Sequence, residues 1–178
     1  WRHWATLVLL STTATTSANP LATDAQYKVA GPTDEIEIIV DEWGVPHIYA
    51  QDHYDVFFGQ GFNAARDRLW QIDLWRKRGL GELSATFGAE FSEQDEAARL
   101  FLYRGDMYSE WLAYGNDAKR ITEAFTQGIN AFVDLTVKHP ELLPPEFTLL
   151  GYTPSLWQPE DAVRIRSNGL WRNVIDEV

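Results

Sequence analysis

Positions 35–50 restrict the fold more than any other stretch: Glu-Ile-Glu-Ile-Ile-Val-Asp-Glu-Trp-Gly-Val-Pro-His-Ile-Tyr-Ala. Ile36, Ile38 and Val40 alternate with Glu35, Glu37 and Ile39, the period-2 pattern of a strand with one face more buried than the other. Residues 42–46 carry turn chemistry, because Gly44 permits positive φ and Pro46 fixes its own. His47, Ile48, Tyr49 and Ala50 resume an extended run, so a hairpin with a five-residue loop is expected.

A helix should follow at once, capped by Asp52 or Asp55. Phe58, Phe62, Ala65, Leu69 and Ile72 recur at steps of four and three, one continuous apolar stripe. That phase leaves Arg66, Asp67, Asp73, Arg76 and Lys77 mostly on other faces, and Gly79-Leu80-Gly81 stops the helix. The basic side chains either tie separate segments together through buried guanidinium hydrogen bonds or form a salt-bridged exposed face. Further helices are expected over 93–103, over 106–114 and from position 116 or 117 onward. The last of these puts Ile121, Ala124, Phe125, Ile129, Phe132 and Leu135 on one side. Its interior Gly128 is unfavourable for a helix and points to close packing against another backbone. Positions 19–33 read as a linker, 142–147 as a rigid connector, and Pro159-Glu160-Asp161 as the first turn of a final helix.

Bulk properties exclude several functions. A net charge of -11 opposes binding to nucleic acid or to anionic lipid, both of which need a basic surface. The absence of cysteine removes thiolate catalysis, disulfides and Cys-ligated metal. Eight Trp, nine Phe and seven Tyr suit a core, a subunit interface or an apolar pocket. At the N-terminus Arg2 and His3 precede a short apolar run and a Ser/Thr/Ala stretch to Ala18, the pattern of a secretory leader too short to span a bilayer. Residues 1–24 are accordingly expected to be an incomplete signal peptide with its linker, 25–178 the folded piece, and the location periplasmic or secreted.

No catalytic centre can be read from the residues. The four His residues are 3, 47, 53 and 139, and no Gly-x-Ser-x-Gly elbow is present. His47, inside a strand pattern, is expected to be a core residue with a hydrogen-bonded ring. Glu93, Asp95 and Glu96 are best read as a solvated helix cap, against the alternative of a glycosidase carboxylate pair. Neither zinc spacing nor a calcium loop occurs.

Five ordered motifs carry a resemblance. Asp41-Glu42-Trp43-Gly44-Val45-Pro46-His47-Ile48-Tyr49-Ala50 is the first. Gly59-x-Gly61 with Ala65-Arg66-Asp67-Arg68-Leu69-Trp70-Gln71-Ile72-Asp73 is the second, and Gly79-Leu80-Gly81-Glu82-Leu83-Ser84 the third. Gly128-Ile129-Asn130-Ala131, and Leu142-Leu143-Pro144 through Gly151-Tyr152-Thr153-Pro154, Trp157 and Pro159-Glu160-Asp161, complete the set. From about position 35 to the end the chain resembles the opening of penicillin acylases, a family of N-terminal nucleophile hydrolases.

The resemblance implies an α+β fold of the layered αββα type, of which this piece holds helices and a hairpin. It implies a precursor that cleaves itself, so that the nucleophile is the N-terminal Ser of a downstream β subunit and no catalytic residue lies here. The substrate would be a small N-acyl amide, such as a β-lactam side chain or an acyl-homoserine lactone. Gly169-Leu170-Trp171-Arg172-Asn173 resembles the late segment lining the acyl pocket, with Leu170 and Trp171 as apolar contacts and Arg172 orienting the polar end. Asn173 stands where some members have an aromatic residue, which argues against a phenylacetyl preference. Glu177 is similar to the carboxylate that shares a structural calcium with the β chain. A noncatalytic, aromatic-rich exported glycan-binding module is the alternative from another class.

Overall fold

The computed structural model describes residues 25–165, together with the backbone of Ala5–Thr6. The described residues hold four short strands: β1 (Ala5–Thr6), β2 (Lys28–Val29), β3 (Glu37–Val40) and β4 (Pro46–Tyr49). Seven α-helices follow: α1 (His53–Leu80), α2 (Leu83–Phe87), α3 (Ser92–Phe101), α4 (Met107–Tyr114), α5 (Ala118–Lys138), α6 (Pro145–Leu150) and α7 (Pro159–Arg164). Short 3₁₀ turns at Ala89–Phe91 and Pro140–Leu142 lead into α3 and α6. The chain divides into two compact units, Trp1–Asp67 with Ala124–Pro140 and Arg68–Glu123 with Glu141–Val178.

In the first unit β3 and β4 form the expected antiparallel hairpin, with Val40 opposite Pro46 and Glu37 opposite Tyr49. Asp41 organises the five-residue loop between them, its Oδ1 accepting the Trp43 and Val45 amides at 2.9 Å each. Ile36 and Ile38 are fully buried with Phe58, Phe62, Ala65, Ile129 and Phe132. Each such large side chain contributes roughly 1.5–3 kcal/mol relative to exposure. The Phe62 ring meets Phe132 edge-on at 5.5 Å and Tyr27 at 5.7 Å. Two glycines let the backbones of α1 and α5 touch. A Cβ on Gly61 would fall well inside 3.0 Å of the Phe125 carbonyl oxygen, and one on Gly128 equally close to that of Phe58.

Positions 25–34 are packed rather than a free linker. Tyr27 packs on Phe62, Pro32 is fully buried, and the Thr33 and Asp34 amides donate to the buried Asp55 carboxylate at 3.0 and 2.9 Å. These bonds satisfy strand-entry donors from a side chain more than twenty positions away, which local spacing cannot reveal.

The second unit begins at a break within α1. Arg68 has φ −143° and ψ 26°, outside helical geometry, so α1 is two helices joined at a kink. The kink resets the buried face and corrects the expected phase: Asp73, Arg76 and Lys77 are buried beside Leu69 and Leu80. Gly81, at φ 70°, ends the helix as expected. Leu83, Ala98, Trp111, Phe147, Trp157 and Val163 complete this unit's core. Asp106 caps α4, accepting the Tyr108 and Ser109 amides, and Gln158 with Asp161 forms a capping box on α7. The expected connector at 142–147 is partly helical, because Pro145 at the first turn starts α6 and buried Phe147 anchors it.

Candidate functional site

The second half of α1 carries three of the six buried charged side chains among the described residues: Asp73, Arg76 and Lys77. Arg76 Nε donates to Asp161 Oδ2 at 2.6 Å, and the Gln158 amide donates to the same oxygen at 2.9 Å. At the next residue, Lys77 Nζ lies 2.9 Å from Asp73 Oδ2, one turn back, and donates to Ser155 Oγ at 2.9 Å. The Ser155 amide returns to Asp73 at 3.2 Å, and the Tyr152 ring lies 5.4 Å from the Lys77 ammonium. Burial, and then the nearby Asp73 charge, push the Tyr152 hydroxyl up to about 12. Of the two readings open for the basic residues, Arg76 and Lys77 therefore take the first. They clamp α1 to the 152–161 segment, whereas Arg66 pairs with its neighbour Asp67 at 2.8 Å.

A hydroxyl beside an amine invites a test for nucleophilic catalysis. Ser155 and Lys77 have the contact distance of a Ser–Lys pair, but a lysine base must offer a free lone pair. Here the ammonium is ion-paired with a fully buried carboxylate and spends its protons on Asp73 and Ser155. The cluster is built to hold, not to react.

The other candidates resolve in the same direction. His47 is not in the core: its ring is about half exposed and lies 3.0 Å from Asp41 Oδ2 across the hairpin loop. Position 47 points outward because its cross-strand partner is Ile39, on the face opposite buried Ile38. The His47 contact first, and the Val45 amide next, hold Asp41 below the usual carboxylate range. Asp95 is not a solvated cap of its own helix. It is buried, and accepts the Leu83 amide at 2.9 Å and the Ser84 amide and hydroxyl at 2.7 and 2.5 Å, so it caps α2. Burial raises its proton affinity, but these bonds outweigh that effect and leave the carboxyl below its ordinary value.

The second unit also holds a concave apolar surface. Trp70, Leu74, Leu83, Phe87, Phe91 and Leu150 line a groove of about 390 Å³ within the second unit. Arg78 and Gln94 are its polar members. Sequence reasoning missed it, although two runs at steps of four carried the signal: Trp70, Leu74, Arg78 on α1, and Leu83, Phe87, Phe91 across α2 and the turn after it.

Leu170, Trp171, Arg172, Asn173 and Glu177 lie outside the described residues, as does nearly all of the expected leader. Among the described residues no three His, Asp or Glu side chains gather as a metal would need, and no helix is long and apolar enough to cross a membrane.

With this geometry in view, comparison with known proteins decides the family. The penicillin amidase family model matches residues 35–175. This chain belongs to the penicillin amidase family. It is 34% identical over 134 residues to the penicillin G acylase of Escherichia coli, covering 75% of this chain and 16% of that protein. It is also 34% identical over 137 residues to the penicillin acylase 2 proenzyme of Pseudomonas sp. strain SE83, covering 77% of this chain and 17% of that one. An acyl-homoserine lactone acylase, QuiP of Pseudomonas fluorescens Pf-5, is 27% identical over 143 residues, covering 80% of this chain and 17% of QuiP. The chain thus spans about a sixth of the length of these curated relatives. The solved structure of a thermostable penicillin G acylase from Alcaligenes faecalis superposes with a TM-score of 0.70 at 28% identity, covering 80% of this chain and 75% of that one. The fold is therefore that of an N-terminal nucleophile hydrolase, and this portion supplies mainly helices plus the β3–β4 hairpin.

Proposed function

We propose that the chain is the α-subunit portion of an exported amidohydrolase that cleaves the amide bond of N-acyl compounds. The observation that carries this reading is the family match over 35–175, together with 34% identity to penicillin acylases from two sources. The coverage figures support the subunit assignment. The same region fills three quarters of a solved acylase chain but only 16% of a complete acylase sequence.

On this reading the attacking hydroxyl is the N-terminal Ser of a β subunit from the same precursor. Its own α-amino group takes the proton, and β-chain donors receive the developing oxyanion. The residues here form one wall of the acyl pocket. Leu170 and Trp171 exclude water from the acyl chain, Arg172 orients the polar end of the substrate, and Asn173 adds a polar contact. Glu177 contributes one carboxylate to a structural calcium shared with the β chain. No step of the reaction needs that ion.

The substrate is a β-lactam side-chain amide or a similar N-acyl compound, with an acyl-homoserine lactone as the alternative; 34% identity to two penicillin acylases against 27% to QuiP favours the first, while the non-aromatic Asn173 argues against a phenylacetyl group. The test is expression of the complete coding sequence and assay against a penicillin and a long-chain acyl-homoserine lactone. N-terminal sequencing of the mature chains accompanies it. Release of the free acid, with a separate chain beginning at Ser, is expected. A mature protein that hydrolyses neither amide, or one whose activity survives replacement of that Ser by Ala, overturns the reading.

A further inference from the structure

Residues 152–158 are irregular and α7 follows at Pro159, yet side chains of α1 hold this stretch at both ends. Ser155 accepts from Lys77 at its hydroxyl and donates its amide to Asp73. Arg76 donates to Asp161 Oδ2 at 2.6 Å, and its guanidinium carbon stands 5.8 Å from the centre of the Trp157 ring. The Gln158 amide uses that same oxygen, so one carboxylate fixes both the first turn of α7 and its link to α1. Further along α7, Val163 is buried, and the Tyr103 amide donates to the Arg164 carbonyl at 3.4 Å. All of these residues belong to the second unit. α7 is therefore held from its first turn to its last residue.

Stability alone does not call for an ion pair at this point. Replacing a buried pair with apolar side chains of similar volume is often neutral or stabilising, because both charges have given up their hydration. What the pair adds is direction. A planar guanidinium facing a carboxylate that already accepts from its own helix admits one arrangement, where an apolar contact would tolerate several. The stretch that gains from a fixed direction comes next in sequence. Gly169, which opens the proposed wall of the acyl pocket, is five positions after Arg164. Five residues reach at most about 18 Å, so the anchored end of α7 bounds where that wall can begin.

We propose that Arg76 and Asp161 are positioning residues for acyl selection: their pair sets where the chain leaves α7 toward Leu170, Trp171 and Arg172, and so which acyl length the pocket accepts. Both act through those side chains and not on the substrate. The inference rests on the reading of Leu170–Asn173 as pocket wall. A site keeps its geometry only when the residues behind it are locked. One methylene gained or lost in an apolar pocket is worth about 10–200-fold in discrimination. Displacing the start of the wall should therefore alter selection among acyl lengths more than it alters the chemical step.

The test uses the complete mature protein and the 4-nitroanilides of butyric, octanoic, dodecanoic and phenylacetic acids. Two variants are compared with the unsubstituted protein. Arg76→Met with Asp161→Asn removes both charges and keeps the volume, while Arg76→Lys keeps a charge opposite Asp161 and loses the planar fork. In each, KM for the preferred anilide should rise about tenfold with kcat changed less, and the ratio of kcat/KM between octanoyl and butyryl anilides should move about tenfold. A ratio between two substrates does not depend on how much of the protein is folded, so lost stability alone cannot move it. Should the double variant fail to fold, Arg76→Lys decides by the same ratio. Native ratios in the variants that fold would overturn the inference. Gly128→Ala, a destabilising change in the first unit, should leave the ratio native. An equal shift there would mark general loosening and overturn the inference as well. Unsubstituted protein that cleaves none of the four anilides removes the proposed function and the inference with it, whereas cleavage with an unmoved ratio removes the positioning role alone.

Discussion

Gly128→Ala tests whether helix propensity or backbone contact governs the centre of the first unit. In an isolated helix the change is favourable by about 1 kcal/mol, since Ala loses less backbone entropy than Gly. Position 128 is not isolated. The new Cβ would lie well under 3.0 Å from the Phe58 carbonyl oxygen, 2.7 Å from the Phe62 nitrogen and 2.9 Å from the Phe58 carbonyl carbon. All three are backbone atoms of α1, so no side chain can rotate away. The clash is relieved only if α1 and α5 separate locally, which loosens the Phe62–Phe132 contact at 5.5 Å. Overpacking of well-packed cores costs about 1–3 kcal/mol, and immovable backbone places this site at or above the upper end. Subtracting the propensity gain leaves a net loss of about 2 kcal/mol.

Hydrogen exchange by mass spectrometry on the complete protein reads the local opening of α1 and α5 without requiring the whole molecule to unfold in one step. Gly128→Ala should speed exchange of the α5 amides about 30-fold, the equivalent of 2 kcal/mol. Gly61→Ala, which meets the Phe125 carbonyl oxygen from the other side, should act in the same direction. Exchange that is unchanged or slower in Gly128→Ala would refute the close approach and leave propensity as the governing term.

Asp95→Asn removes the charge that caps α2 and should cost about 2 kcal/mol at pH 7, the scale of hydrogen bonds to a buried charged acceptor. Because the folded carboxyl titrates below its unfolded value of about 4, this stabilisation is present above that pH and is lost as pH falls through the folded value. Thermal melts of the two proteins should therefore differ at pH 7 and draw together as pH falls below the unfolded value; a gap independent of pH would contradict the assignment. Asp161→Ala strands Arg76 in the interior and should cost about 3–5 kcal/mol by urea titration, while Arg76→Met with Asp161→Asn should recover most of that. A double substitution no better than the single one would show that the pair is not the unit of stabilisation. If Glu177 binds calcium, EDTA should lower the melting temperature and added calcium restore it, with Glu177→Ala abolishing the response.

Much of the fold was legible because its helices are long enough to show their period. The stripe from Phe58 to Leu69, the α5 stripe and the hairpin loop of five residues all follow from local spacing, and so does the close approach at Gly128. Helices shorter than two turns were legible only where a terminal signal marked them, as Pro159-Glu160-Asp161 marks α7. The five residues of α2 carry no period to read, and α6 was hidden among prolines that equally suit a connector. The kink at Arg68 was invisible for a different reason. Arginine is a good helix former, no Pro or Gly marks the spot, and only tertiary packing imposes the extended φ there.

The chemistry of the buried charges was hidden by distance along the chain. Asp95 serves amides 11 and 12 positions back, and Arg76 meets a carboxylate 85 positions ahead. A local reading of either acid sees a helix first turn and assigns it to solvent. Composition carried the same ambiguity, since the aromatic surplus divides between core and groove. Phe62 and Phe132 are enclosed within their own unit, whereas Trp75 stands 58% exposed. An interior that the chain completes and a surface that it leaves open are built from the same residue types. Polar atoms do not separate the two either, since Arg76 Nη1 in the core and Arg78 Nε beside the groove are both buried without an acceptor among the described residues.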